Sequence, residues 1–218
     1  MRRFACRCGR PVYFDNHRCT HCHRELVFDP EALDMRAEEE PGDGLPCCAN
    51  RLSDIQCNWM SGSAGHCLSC RMSKIIPVLS KPENRSRWRK LEAAKRRLLY
   101  ELLRMGLPVD DRDLHFVFKE DRRTNPDVGD DHVLIGHAEG VITINAAEAD
   151  EVYREQMRQA LNEPVRTLLG HFRHESGHYY FGVVVDDRNR DEFRARFGNE
   201  SADYDTALNR FYAEGPRG

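Results

Sequence analysis

All nine cysteines of this 218-residue chain lie between Cys6 and Cys70, so its first third carries every thiol and the rest carries none. Punctuated by Gly and Pro and poor in long apolar periods, that first stretch cannot bury enough side chain to fold unaided. A metal must replace the missing core. Cys6-x-Cys8 and Cys19-x-x-Cys22 supply four thiolates in two close pairs, the arrangement that holds a tetrahedral zinc between two turns. Cys48, Cys57 and Cys67-x-x-Cys70 form a looser second set with one tight pair and two single ligands, which leaves Cys47 spare. Histidines compete for these places, because His17, His21, His23 and His66 sit among the cysteines and imidazole binds zinc as well. Four closed ligands leave no open position for chemistry, so the segment reads as structural, or as a docking surface for a protein or nucleic acid. The acidic run and Pro-Gly-Asp-Gly of AEEEPGDGLP at 37–46 form a loop between the two knuckles.

Beyond the cysteines the pattern becomes helical. Ser80-Lys81-Pro82-Glu83 has the form of a capping box with proline in the first turn, and Trp88, Leu91, Lys95, Leu98, Leu102 and Met105 recur at helical spacing before Gly106 and Pro108 end the run. LHFVFK at 114–119 alternates as a strand, and 132–145 reads as two strands turning near Glu139-Gly140. Residues 146–161 form an amphipathic helix, a second helix starts at Asn162-Glu163-Pro164 and runs to about Phe181, and a last one covers 201–212. The chain is therefore expected to be α+β. A zinc-ribbon-like module spans 1–75, a basic connecting helix spans 80–106, and a domain with a small sheet and helices spans 110–218.

A net charge of -3 provides no whole-protein field to recruit nucleic acid, so such binding would need a local patch. The helix after the knuckles offers one, with Arg85, Arg87, Arg89, Lys90, Lys95, Arg96, Arg97 and Arg104, although long basic side chains more often form a solvated face. MRRFACRCGR lacks an apolar run of signal-peptide length, and no segment offers the roughly 18 apolar residues of a membrane span. The expected location is cytoplasmic, where thiols stay reduced.

The chemistry is concentrated in LLGHFRHESGHYYF. On a helix His174 and His178 are four residues apart and project from one face, so they can share one ion. Glu175 beside them is the general base: it takes a proton from water that the ion acidifies and passes it to the leaving amine. Val165, Leu168, Leu169 and Phe172 provide the packing stripe of that helix. The order in which Val141–Asn145 precedes the helices is that of peptidases whose edge strand pairs with an extended substrate. His171, one turn before His174, reads as an orienting or transition-state donor group or as a surface histidine. His115, His132 and His137 read as strand or turn residues, and Tyr179 and Tyr180 as packing. A catalytic zinc needs a third protein ligand. Glu200 in Asn199-Glu200-Ser201-Ala202-Asp203 is the candidate, with Asp203 placed to orient a ligating histidine, although an acidic residue in a first helical turn also serves the helix dipole alone.

Taken with FACRCGRPVYFDNHRCTHC, PCCANRLSDIQCNW, CLSCR and LSKPENRSRWRKLEAAKRRLLYELLRMGLP, the stretch HAEGVITINAAEADEVYREQMRQALNEPVRTLLGHFRHESGHYYF and the later FGNESADYDTALNRFYAEGP resemble a bacterial family of zinc-binding metallopeptidases with an N-terminal zinc-ribbon region. The resemblance implies a zincin-like site with zinc on His174 and His178, catalysis by Glu175 on a peptide or protein substrate, and a ribbon using the cysteine sets above. That makes one catalytic and up to two structural zinc ions. Members continue past Gly218 with a helical section containing acidic residues, a competing source of the third ligand. The alternative function is a zinc-ribbon or nucleic-acid binding module whose histidine site is inactive or structural.

Overall fold

Short hairpins organise the cysteine-rich segment. Strands β1 (Phe4–Ala5) and β2 (Pro11–Val12) pair antiparallel around the turn at Gly9, whose φ of 80° demands glycine. Strands β3 (Leu26–Asp29) and β4 (Asp34–Ala37) form a second hairpin, with Asp29 ion-paired to Arg36 at 2.5 Å. A short helix α1 (Leu68–Arg71) follows the second cysteine set. The structure is a computed structural model describing residues 2–40, 42, 44–62, 65–130, 132–203, 206, 209 and 213. The chain divides into two units, Met1–Gly177 and His178–Gly218.

In the first unit β5 (Ser73–Ile75), helix α2 (Pro82–Arg104), β6 (His115–Lys119), β7 (Gly136–Ala138) and β8 (Val141–Asn145) follow α1. They build a four-stranded sheet of order β5-β6-β8-β7, with β5, β6 and β8 parallel and β7 antiparallel to β8. Phe116, Phe118, Ile142 and Ile144 are fully buried, as the inner strands of a parallel sheet require. The anticipated hairpin turn is present: Glu139 and Gly140 both have positive φ, 47° and 78°, and His137 Nε2 accepts the Gly140 N–H at 3.0 Å. Val141–Asn145 is an inner strand, contrary to the sequence expectation of an edge, because β6 and β7 flank it; β7 is the edge on that side.

Helix α2 starts later than its capping-box reading implies. Pro82 takes the first helical position, which makes Lys81 the cap, and among the described residues no side chain closes it. Some arginines of α2 reach the ribbon while remaining partly in water. Arg85 pairs with Asp54 at 2.9 Å, Arg89 donates to the Asp54 carbonyl at 2.6 Å, and Arg97 pairs with Asp15. Tyr100 stacks on Phe14 at 4.8 Å between ring centres and meets Phe28 edge-on at 5.3 Å, while Phe28 reaches Trp59 at 5.2 Å. One aromatic core thus joins ribbon and helix.

The helix expected over 146–161 is two elements, a 3-10 turn at Ala146–Ala149 and α3 (Glu151–Ala160). Asp150 causes the break, since its extended backbone lets its carboxylate cap the Val152 and Tyr153 N–H groups. Helix α4 (Leu168–Val184) begins several residues after Asn162-Glu163-Pro164. Asn162 is left-handed, with φ 53°, which ends the preceding helix, and Thr167 Oγ1 accepts the Gly170 N–H at 3.0 Å to start the next. In the first unit Phe172 of α4 packs on Phe116 and Phe118, ring centres 5.8 and 6.0 Å away.

In the second unit α5 (Arg190–Phe197), not anticipated from the sequence, packs Phe193 on Phe181 at 5.1 Å. Asp191 and Glu192 in its first turn and Arg194 and Arg196 in its last suit the helix dipole. The helix expected over 201–212 falls largely outside the described residues. Among the described residues no helix is long and apolar enough to cross a membrane.

Candidate metal centres

The β1–β2 turn and a second tight turn before β3 bring the first cysteine set together. The Gly9 N–H donates to the Cys6 carbonyl at 2.8 Å and the His23 N–H to the Cys19 carbonyl at 3.0 Å, closing the two knuckles. Cys6 and Cys22 sulfurs lie 3.5 Å apart, and Cys8 and Cys19 3.7 Å apart. In the second set Cys48 and Cys70 are separated by 3.6 Å and Cys57 and Cys67 by 3.6 Å, with the Cys67 N–H donating to Cys48 Sγ at 3.3 Å. A regular tetrahedron with metal–sulfur arms of about 2.3 Å has edges of about 3.8 Å. A disulfide needs about 2.05 Å. Both sets therefore fit zinc, and all four sulfurs of each lie within 4.8 Å of one another.

Crowding splits the thiols electrostatically. Hydrogen bonding to the Arg24 backbone, helped by Cys8 and Cys6, pulls Cys22 down to about 6, whereas burial pushes Cys6 up to about 12. No histidine joins either set among the described residues. His17 instead meets Arg51 Nη1 at 3.1 Å through Nδ1 and, pushed down to about 4 first by burial and then by Arg51 and Arg96, stays neutral. Cys47 is the spare thiol, outside both sets.

Helix α4 carries HESGH as an unbroken helical stretch. His174 and His178 are exposed, while Glu175 and Ser176 are buried, with Glu175 7% exposed. His171 has a definite partner, its Nε2 lying 3.1 Å from Glu148 Oε2. Glu148 is buried and also accepts Arg166 Nη2 at 2.5 Å and Nε at 3.2 Å. Burial pushes the Glu148 carboxyl up, but the hydrogen bonds and charges of His171 and Arg166 outweigh it and hold the group below the ordinary carboxylate range. This cluster fastens the start of α4 to the turn after β8. Nothing in the sequence announces it, because its members are 18 and 23 residues apart.

Glu148→Gln is expected to cost about 3 kcal/mol of stability, the low end for breaking a buried pair, because Glu163 still holds Arg166 at 3.0 Å. A depressed carboxylate stabilises above its unfolded value, about 4.3, and loses that contribution as pH falls through its folded value. Denaturant midpoints of the two proteins should therefore differ at pH 7 and converge in acid. Equal midpoints at pH 7 would remove the structural role.

Glu200 lies just beyond α5, and its carboxylate sits between two guanidinium groups, Arg194 Nη2 at 2.8 Å and Arg190 Nη1 at 3.1 Å. Arg194 foremost holds it down to about 2. Asp203 Oδ1 accepts the Thr206 N–H at 2.7 Å, as a helix cap does. Tyr180 is buried, which pushes its phenol above the ordinary value.

Comparison with known proteins places this geometry. A zinc-ribbon domain model matches residues 3–81, and a model described as "Putative zinc-binding metallo-peptidase" matches residues 84–218. The chain is 37% identical over 231 aligned positions to uncharacterized proteins of Mycobacterium tuberculosis and Mycobacterium bovis, covering 99% of this chain and 64% of theirs. It thus spans somewhat under two thirds of the length of those relatives. No solved structure matches it. A ribbon with two metal-ready tetrads, followed by a segment matching that peptidase model through residue 218, shows that the chain belongs to the putative zinc-binding metallo-peptidase family.

Proposed function

We propose that α4 is the active helix of a zinc-dependent peptidase that cleaves amide bonds in a peptide or protein, with His174 and His178 as metal ligands. The observation that carries this reading is the unbroken helix through HESGH, with two exposed histidines one turn apart and a buried carboxylate at the intervening position. Neutral imidazoles at i and i+4 are a suitable donor pair for zinc, which when bound supplies an acidified water and a Lewis acid. Glu175 receives the proton of the attacking water on a carboxylate oxygen and delivers it to the departing amine. Glu148 keeps the His171 ring fixed one turn before His174, holding the entry of the helix in place. Glu200 is the third protein ligand we assign within the chain, and to serve it must exchange Arg190 and Arg194 for the ion. The tetrads are structural.

Zinc stoichiometry tests the assignment. The zinc-replete chain is expected to hold three ions, and His174→Ala, His178→Ala and Glu200→Ala to hold two, since the cysteine sets are chemically separate. A wild-type content of two under saturating zinc, with no peptide in a mixed library cleaved, would sink the reading. Three ions in Glu200→Ala would reject that ligand alone.

A further inference from the structure

Arg96 of α2 is buried, 6% exposed, and a guanidinium cannot shed its proton to escape the cost. Buried arginines are ordinarily paired with carboxylates, because desolvating a lone charge is strongly unfavourable. Among the described residues no carboxylate pairs with Arg96. Glu92, one turn earlier on the same helix, is committed to Lys95 at 2.8 Å. The Arg96 Nη2 donates to the Ile55 carbonyl at 3.3 Å, and its Nη1 is buried with no hydrogen-bond partner among the described residues. Ile55 lies two residues before Cys57, a fully buried member of the second tetrad.

The missing counter-charge is close by. Four thiolates around a divalent zinc carry a net charge of two minus. The Ile55 carbonyl that receives the Arg96 hydrogen bond leads through Gln56 directly into Cys57, which ties the guanidinium to that site. The first tetrad is arranged differently. Its nearby cation, Arg24, is only partly buried and is shared with the Glu40 carboxylate at 3.3 Å and the Glu39 carbonyl at 3.1 Å.

We propose that Arg96 is the counter-cation of the second cysteine tetrad, so that metal binding by Cys48, Cys57, Cys67 and Cys70 is coupled to the seating of α2 against the ribbon. Coupling of this kind is reciprocal. A filled tetrad neutralises the buried guanidinium and tightens the helix, and a seated helix tightens the metal. Because α2 also places Lys95 over the Phe116 and Phe118 rings, the ribbon's metal content reaches the helix on which the sheet packs. The coupling is independent of whether α4 hydrolyses anything.

The test follows zinc release from the full, zinc-loaded chain into a chelating dye, with the phases assigned to each tetrad by Cys8→Ser and Cys70→Ser. Arg96→Met, which keeps the bulk and deletes the charge, is expected to speed release from the second tetrad at least tenfold and leave the first unchanged. Arg85→Gln breaks the half-exposed contact of α2 with Asp54 without touching the tetrad's charge, and should speed release from the second tetrad by less than about threefold. Unaltered release in Arg96→Met, or equal acceleration in Arg85→Gln, overturns the proposal. Should Arg96→Met fail to fold, amide exchange on the wild type decides. Stripping the second tetrad should raise exchange at least tenfold in α2 around residues 92–100, and unchanged exchange there overturns the coupling.

Discussion

Removing zinc from the two cysteine tetrads is expected to unfold the ribbon, with loss of the near-ultraviolet signal of Trp59. The strands of that segment are two and four residues long, and isolated two-stranded hairpins are marginal in water. Its apolar core is small and is completed by Tyr100 from outside. Structural zinc supplies an apparent ~10–16 kcal/mol at pH 7 in small domains of this kind, more than the whole net stability of most of them. Acid should act as chelator does. A metal-bound thiolate is a group whose folded-state pKa lies far below its unfolded value of about 8.5, so its contribution is present at high pH and is lost as pH falls. Four thiolates lose together about 5.5 kcal/mol per pH unit below that value, which exhausts ~10–16 kcal/mol between about pH 4 and 5. Zinc release and the loss of the Trp59 signal should coincide in that window. A zinc-free chain that keeps its near-ultraviolet spectrum at pH 7 would show the core to be self-sufficient.

Much of this was legible in the residues alone, where local chemistry decides the structure. Thiols at Cys6, Cys8, Cys19 and Cys22 have few ways to satisfy a tetrahedral ion, so spacing sufficed, and the looser second set assembled with Cys47 left out. The turn at Glu139-Gly140 and the span of α2 were readable for the same reason, since positive φ and helical apolar spacing are local properties. What escaped was set by contacts far apart in the chain. The pairs of Arg85 with Asp54 and of Arg97 with Asp15 join α2 to the ribbon across 31 and 82 residues. Strand β5 is three residues long and exists because β6 pairs with it. The split at Asp150 and the start of α4 after Thr167 are set by side-chain caps that override the apolar period around them.

Glu175→Gln is expected to keep the third zinc and lower hydrolysis by about 10²–10⁴-fold, the usual share of a general base. The substitution is nearly isosteric, which matters because Glu175 is buried and its neighbour Ser176 donates to the Arg173 carbonyl at 3.1 Å within the same turn. A glutamine fills that space and retains hydrogen-bonding capacity. It cannot take a proton at neutral pH. His174→Ala should behave differently, losing the third ion and hydrolysis together while both tetrads stay filled, so a content of two zinc ions separates loss of the site from loss of the fold. The pair of variants also distinguishes a catalytic site from a structural one on the same helix. A zinc that merely holds α4 in place would make His174→Ala unstable and leave Glu175→Gln without consequence. Peptide cleavage by Glu175→Gln at the wild-type rate, with three zinc ions bound, would eliminate Glu175 as the base and with it the proposed chemistry of α4.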